Sequence, residues 1–183
     1  NHLQWVSLDD ILRRHAIAED DQAPEGYGRV RLLTIFIQVC MAVEFAHSRG
    51  IVHRDVKPTN IMLGDFGEVQ LLDWGIARVT DEMEPEEDDG LSLTGTPGYM
   101  APEQILGGSA PSSTVSDVYS LGAVLYELLT LHRPFEHSDP EELMVLCCSE
   151  DPVPPSLRAP QRYIPTELDE ICLAALRRDP AAR

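Results

Sequence analysis

From Val115 to Thr130 the chain is almost entirely apolar, broken only by Ser116, Asp117, Ser120 and Glu127 before its last residue. This is the pattern of a helix buried on most sides, so the fold has to be assembled around it. Burying an Asp in such a helix is costly unless the carboxylate accepts hydrogen bonds. Asp117 is therefore expected to be paired with backbone N–H groups.

The rest of the chain supplies elements to surround that helix. Ser7, Asp9 and Asp10 precede Ile11, Leu12, Arg13 and Arg14, a short capped helix with acids at its start and bases at its end. It is expected to stop before the loop Glu19–Gly28. From Arg29 to Ser48, Leu32, Leu33, Phe36, Val39, Cys40, Val43 and Ala46 recur at helical spacing, and Gly50 follows as a C-terminal stop. The short apolar runs Ile61–Leu63 and Val69–Leu72 flank Gly64-Asp65-Phe66-Gly67, which predicts a small hairpin. Two further helices are expected at Pro140–Cys148 and Pro165–Arg178, joined by the Pro-rich stretch Asp151–Pro160. The reading is mainly α with a small β-hairpin, and no internal repeat.

With 31 acidic and 14 basic side chains in 183 residues, the formal charge is −17. That balance argues against nucleic acid or an anionic membrane as partner, since phosphates are held by clustered Lys and Arg. Cys40, Cys147, Cys148 and Cys172 show no Cys-x-x-Cys pair and no zinc-ligand spacing. They read as reduced core thiols of a cytoplasmic protein, or of the cytoplasmic domain of a larger, membrane-tethered one. The longest mainly apolar runs, Leu32–Ile37 and Leu121–Tyr126, are shorter than the roughly 20 residues of a membrane span, and no signal peptide opens the chain. The first residue is Asn1 rather than Met, so an upstream portion is expected. Residues Asp81–Gly90 carry seven acids in ten positions, a self-repelling run expected to form a mobile loop.

The chemistry is concentrated in three blocks. His53-Arg54-Asp55-Val56-Lys57-Pro58-Thr59-Asn60 is followed by Asp73-Trp74-Gly75, and then by Gly95-Thr96-Pro97-Gly98-Tyr99-Met100-Ala101-Pro102-Glu103. In this order they resemble the protein kinase family, specifically the bacterial-type Ser/Thr kinases. The resemblance continues through Ser116–Gly122, Arg133-Pro134-Phe135 and the terminal Asp179-Pro180-Ala181-Ala182-Arg183, so it covers nearly the whole chain.

Transfer of a phosphoryl group from ATP to a hydroxyl needs one carboxylate to steer the hydroxyl proton and other oxygen ligands to hold Mg²⁺ against the phosphates. The resemblance implies that Asp55 is the catalytic base, that Asn60 and Asp73 bind Mg²⁺, and that Lys57 stabilises the transferring phosphate. It places Thr96 in contact with Asp55 and Lys57, Met62 under the adenine of ATP, and Ser7 near the ribose. His53 is expected to pack beneath the metal loop beside Trp74, which stands where the family usually has Phe and brings an indole N–H that needs a partner. The catalytic-loop backbone near His53 and Arg54 is the expected partner of Asp117, and Glu103 is expected to pair with Arg183. Arg54 before the catalytic Asp implies control by phosphorylation of the intervening loop, with Ser92 and Thr94 as acceptors. The acidic run Asp81–Asp89 is an alternative partner for Arg54.

Lys57 is the only lysine, so the strand Lys of a complete kinase is absent. Gly26-Tyr27-Gly28 lacks the third Gly of a phosphate-covering loop and reads as a connection. The 183 residues thus resemble the larger C-terminal lobe, a partial kinase domain without its small N-terminal β lobe. Its parts are a hinge-proximal helix, a catalytic loop at 51–60, an activation segment at 73–103 and a helical subdomain at 104–183. Phosphoryl transfer by this segment alone is expected to be negligible, because much of the positioning and electrostatics would come from the missing lobe. Expected partners are that lobe and protein substrates with Ser or Thr acceptors. Two rivals are a non-catalytic pseudokinase-like interaction module and a small-molecule phosphotransferase. The first has no chemical need for Asp55, Lys57, Asn60 and Asp73 together, and the second none for Thr96 or Ala101-Pro102-Glu103.

Overall fold

The computed structural model describes residues 5–17, 26–74, 78–79, 95–107 and 113–183. The acidic run at 81–89, and with it Ser92 and Thr94, lies outside them. The apolar segment forms α4 (Thr114–Thr130), with Tyr119, Ala123, Val124, Tyr126, Leu128 and Leu129 at most 1% exposed. Each such aliphatic or aromatic side chain contributes roughly 2 kcal/mol by leaving water. Around α4 pack α2 (Arg29–His47), α6 (Pro155–Arg158) and α7 (Thr166–Ala175). Gly122 lets α7 approach closely, because a Cβ there would lie 2.8 Å from that of Ala175. Completing the helices are α1 (Leu8–Ile17), α3 (Pro102–Ile105) and α5 (Pro140–Ser149).

α2 buries Leu32, Ile35, Val39, Val43 and Ala46 in this core, and Gly50 beyond its end takes φ 72°. By length and composition α2 is the one described helix able to cross a membrane, which the short apolar runs alone do not reveal. Here its buried face packs on α4 and on the sheet.

The mainly helical fold with a small sheet agrees with the sequence, and the hairpin has a third strand. β3 (Ile61–Gly64) and β4 (Val69–Leu71) pair through the Gly64–Gly67 turn. β1 (Trp5–Ser7) joins the other side of β3, giving an antiparallel order β1-β3-β4. A separate two-residue ladder joins β2 (Ile51–Val52) to β5 (Arg78–Val79). This topology prepares the site. Asn60 immediately precedes β3 and Asp73 follows β4, and the pairing of Ile61 with Leu71 brings their flanks to one edge. The Leu72 N–H donates to the Asn60 carbonyl at 2.7 Å.

Candidate active site

The loop between β2 and β3 is held from below by Asp117. Its Oδ1 accepts the Arg54 N–H at 2.8 Å, and its Oδ2 accepts the His53 N–H at 2.8 Å and meets His47 Nε2 at 2.7 Å. Asp117 is fully buried, and its cost there is offset by these charge-assisted bonds. They also hold Arg54 at φ 74°, a conformation a non-Gly residue keeps only under such constraint. His47 is absent from the sequence reading. A His in the last turn of a long, mostly apolar helix is an ordinary sight, and only the buried carboxylate opposite gives it a role.

His53 ties this loop to the segment after β4. The Asp55 N–H donates to its Nδ1 at 3.3 Å, while Nε2 lies 3.0 Å from the Leu72 carbonyl. A carbonyl only accepts and an amide N–H only donates, so the proton sits on Nε2 and the ring is neutral. The His53 and Trp74 rings meet in a T-shaped contact, centroids 4.5 Å apart.

Above this support four polar side chains converge. Lys57 Nζ lies 2.6 Å from Asp55 Oδ2 and donates to Thr96 Oγ1 at 2.6 Å, and the Thr96 hydroxyl donates to Asp55 Oδ1 at 3.2 Å. Asn60 Nδ2 donates to the Asp55 carbonyl at 2.9 Å and to Oδ2 at 3.3 Å. Both Asp55 oxygens are thereby oriented. Gly95 enters the Thr96 turn at φ 140°, where a Cβ would lie 2.8 Å from Met100. Tyr99 anchors the same segment on α4, as its carbonyl accepts from Ser120 at 2.7 Å and its hydroxyl donates to Glu127 at 2.5 Å. The Arg133 guanidinium covers the Tyr99 ring at 5.2 Å. Burial drives the Glu127 carboxyl above its usual range, and the Tyr99 bond and Arg133 only partly oppose it.

The donor set fits a hard cation that also binds phosphates. Among the described residues no group of three or more His, Cys, Asp and Glu gathers, so an all-protein metal cage is absent there. Mg²⁺ instead takes one or two protein oxygens and completes its shell with phosphates and water. Asp55 occupies the Asn60 amide nitrogen, which leaves the amide oxygen to face a cation. The Asp73 carboxylate, on a residue at φ 67°, is exposed.

The two nucleotide candidates lie opposite each other, since Ser7 on β1 pairs with Met62 on β3. Met62 is half-buried, on the face opposite Ile61 and Leu63, which line the core. The Ser7 hydroxyl is engaged in capping α1: it accepts the Asp10 N–H at 3.1 Å and donates to the Asp10 carboxylate at 2.7 Å. A cleft lined by Tyr126, Arg133, Phe135 and Arg158 includes none of the candidate catalytic residues. The four cysteines are free. Burial pushes the Cys147 and Cys172 thiols up to about 11 and about 12, so neither is a ready nucleophile.

Residues 2–183 match the family model described as the protein kinase domain. The chain belongs to the protein kinase family. Among curated relatives, a serine/threonine-protein kinase PknD of Protochlamydia amoebophila (strain UWE25) is 37% identical over 190 residues, covering 92% of this chain and 19% of the relative. The protein of the same name from Chlamydia abortus (strain DSM 27085 / S26/3) is 40% identical over 169 residues, covering 82% and 17%. That of Chlamydia pneumoniae is 41% identical over 165 residues, again covering 82% and 17%. The chain thus spans about a fifth of the length of these kinases.

In this kinase lobe Glu103 and Arg183 form a bidentate pair, Nη1 to Oε1 at 2.8 Å and Nη2 to Oε2 at 2.7 Å. The Arg183 side chain is fully buried and that of Glu103 12% exposed. Ser116 also donates to Glu103 Oε1 at 2.9 Å, giving this α4 hydroxyl a role its place in the apolar run does not suggest. Burial alone would raise the Glu103 carboxyl, but Arg183, the backbone and Ser116 together hold it below its ordinary 4.5. A depressed folded-state value adds stability above the unfolded value and loses it as pH falls through the folded one. Glu103→Gln is therefore expected to cost about 1–2 kcal/mol at neutral pH. In urea titrations the gap from wild type should narrow as pH drops below 4.5. A gap independent of pH would rule out the ionised pair as its source.

Proposed function

We propose that this chain is the large-lobe part of a Ser/Thr protein kinase that transfers the γ-phosphoryl of Mg-ATP to Ser or Thr of protein substrates. The observation that carries the proposal is the closed set Asp55–Lys57–Thr96–Asn60, in which one carboxylate is oriented by a cation, a hydroxyl and an amide. When bound, Mg-ATP would supply the γ-phosphoryl group, and its magnesium the charge neutralisation that lets ADP depart with the bridging oxygen.

Asp55 accepts the proton of the incoming hydroxyl, and Lys57 holds negative charge developing on the transferring phosphate. The Asn60 oxygen and the Asp73 carboxylate hold Mg²⁺. Thr96 fixes both Asp55 and Lys57 from the segment that would receive the peptide. Met62 forms the floor under the adenine, and Ser7 borders the ribose from its capping position. Arg54 receives a loop phosphate from Ser92 or Thr94. The small lobe, with its own phosphate-covering loop and strand Lys, is the proposed partner that completes the site. The acid excess and free thiols support protein substrates in the cytoplasm over polyanionic ones.

The test is to incubate the intact protein with Mg-ATP and mixed protein acceptors and identify the modified amino acids. Phosphoserine and phosphothreonine are expected. Preferential phosphorylation of free small-molecule alcohols would refute the proposal in favour of a small-molecule phosphotransferase.

A further inference from the structure

The segment at 95–101, to which the proposed function assigns the acceptor peptide, is bordered by one residue from the loop after α4. The Arg133 guanidinium lies over the Tyr99 ring at 5.2 Å, and a Cβ at Gly98 would come within 3.7 Å of Arg133 Cδ. Arg133 also lines the cleft that extends past Phe135, Leu146 and Val153 to Arg158. Its volume of about 240 Å³ is below the roughly 300–1,000 Å³ that encloses a drug-sized ligand. It suits a single side chain.

The charges around this cleft are unequal. Glu136, its one carboxylate, is engaged three ways: Oε2 accepts from Arg158 at 3.0 Å, while Oε1 accepts the Arg133 N–H at 3.1 Å and lies 3.6 Å from His132 Nδ1. Among the described residues no carboxylate comes within ion-pair distance of the Arg133 guanidinium. The two acids in its neighbourhood are occupied elsewhere. Glu127 holds the Tyr99 hydroxyl, with burial favouring its neutral form, and Asp9 pairs with Arg13 at 2.7 Å. A half-buried cation beside the peptide segment, on an apolar cleft and short of an anion, is complementary to a carboxylate carried on a short aliphatic stem.

We propose that Arg133 is a specificity-determining residue that draws an acidic side chain of the protein substrate, Asp or Glu, into the cleft beside α4. The inference rests on the reading of residues 95–101 as the peptide-binding segment. A basic side chain would meet Arg133 as a like charge, and an uncharged one would leave it without an anion. The site thus selects by attraction and repulsion together.

The test is a peptide set with a Ser or Thr acceptor and Glu, Ala or Lys at each flanking position in turn, with kcat/KM measured on the intact kinase. At the position that reaches the cleft, the wild type should prefer Glu over Ala about fivefold, the gain of a partly exposed charge-assisted contact. Glu over Lys should exceed that. Arg133→Gln should abolish the preference for Glu, Arg133→Lys should keep part of it, and Arg133→Glu should turn it into a preference for Lys of similar size. Each ratio is taken within one protein, so a loss of stability or of overall rate cancels. Damage to the Tyr99 contact would lower all peptides alike and could not reverse the order. The differences should lie in KM, with kcat within about twofold across the three peptides.

A Glu preference that survives in Arg133→Glu would overturn the assignment, as would a wild type indifferent to charge at every position. Loss of the preference in Arg158→Ala but not in Arg133→Gln would place the contact on Arg158 and equally overturn it. Should the intact protein phosphorylate none of the peptides, the kinase reading fails, and fluorescence anisotropy of the same peptides decides the site. Binding of the Glu peptide that Arg133→Glu exchanges for binding of the Lys peptide would then bear the site out, and equal binding of all three would overturn it.

Discussion

Asp55→Asn in the intact kinase is expected to reduce kcat for protein phosphorylation by about a thousandfold, within the range that general-base catalysis supplies. The substitution is nearly isosteric, so the shape of the site should survive. An Asn oxygen can still accept from Thr96 or Asn60, but it is a poor proton acceptor, and it removes the anion that lies 2.6 Å from Lys57 Nζ. Because the lost function belongs to the chemical step, KM for Mg-ATP should remain within about threefold of wild type. Steady-state kinetics with a protein acceptor, alongside thermal unfolding to confirm an intact fold, makes the comparison. Retention of more than about a tenth of wild-type kcat would show that Asp55 does not act as the base.

How legible this site was in the sequence depends on the kind of signal each residue carries. α4 and α2 announce themselves because many apolar residues repeat at one period. β1 and the β2–β5 ladder are three and two residues long per strand, too short for any period to register. α3 and α6 are single turns that start at Pro102 and Pro155. Their Pro residues suit a first helical position but equally suit a loop. The expected helix at Pro165–Arg178 ends earlier, at Ala175, because Leu176 turns out of helical geometry. Asp55, Lys57, Asn60, Asp73 and Thr96 stand in ordered motifs, and the resemblance carries them to one place. His47, Ser116 and Gln104 stand in none. Gln104 accepts the Ala101 N–H at 2.9 Å and donates to the Arg54 carbonyl at 3.3 Å, so it links the start of α3 to the catalytic loop. Such supporting residues are defined by what the tertiary fold sets opposite them.

Asp117 is where that support concentrates, and Asp117→Ala should have the largest effect on stability. The substitution strips the acceptor from two backbone N–H groups and one imidazole at once. A buried donor left without a partner costs about 1–3 kcal/mol. Two such donors, with the emptied volume beside them, are therefore expected to cost about 3–5 kcal/mol. For a domain of this size that is a fall in Tm of roughly 10 °C. Asp117→Asn should sit between the two, since its amide offers one oxygen and turns a donor toward the other N–H. Activity should fall further than stability at temperatures where both variants remain folded. Arg54 keeps its positive φ because its N–H is held, and Asp55 is the next residue along the chain. Denaturant unfolding of the intact kinase, paired with kcat measured well below the lowered midpoint, separates the two effects. An Asp117→Ala protein within about 1 kcal/mol of wild type would mean that other contacts hold the catalytic loop, and that the buried carboxylate is tolerated instead of required.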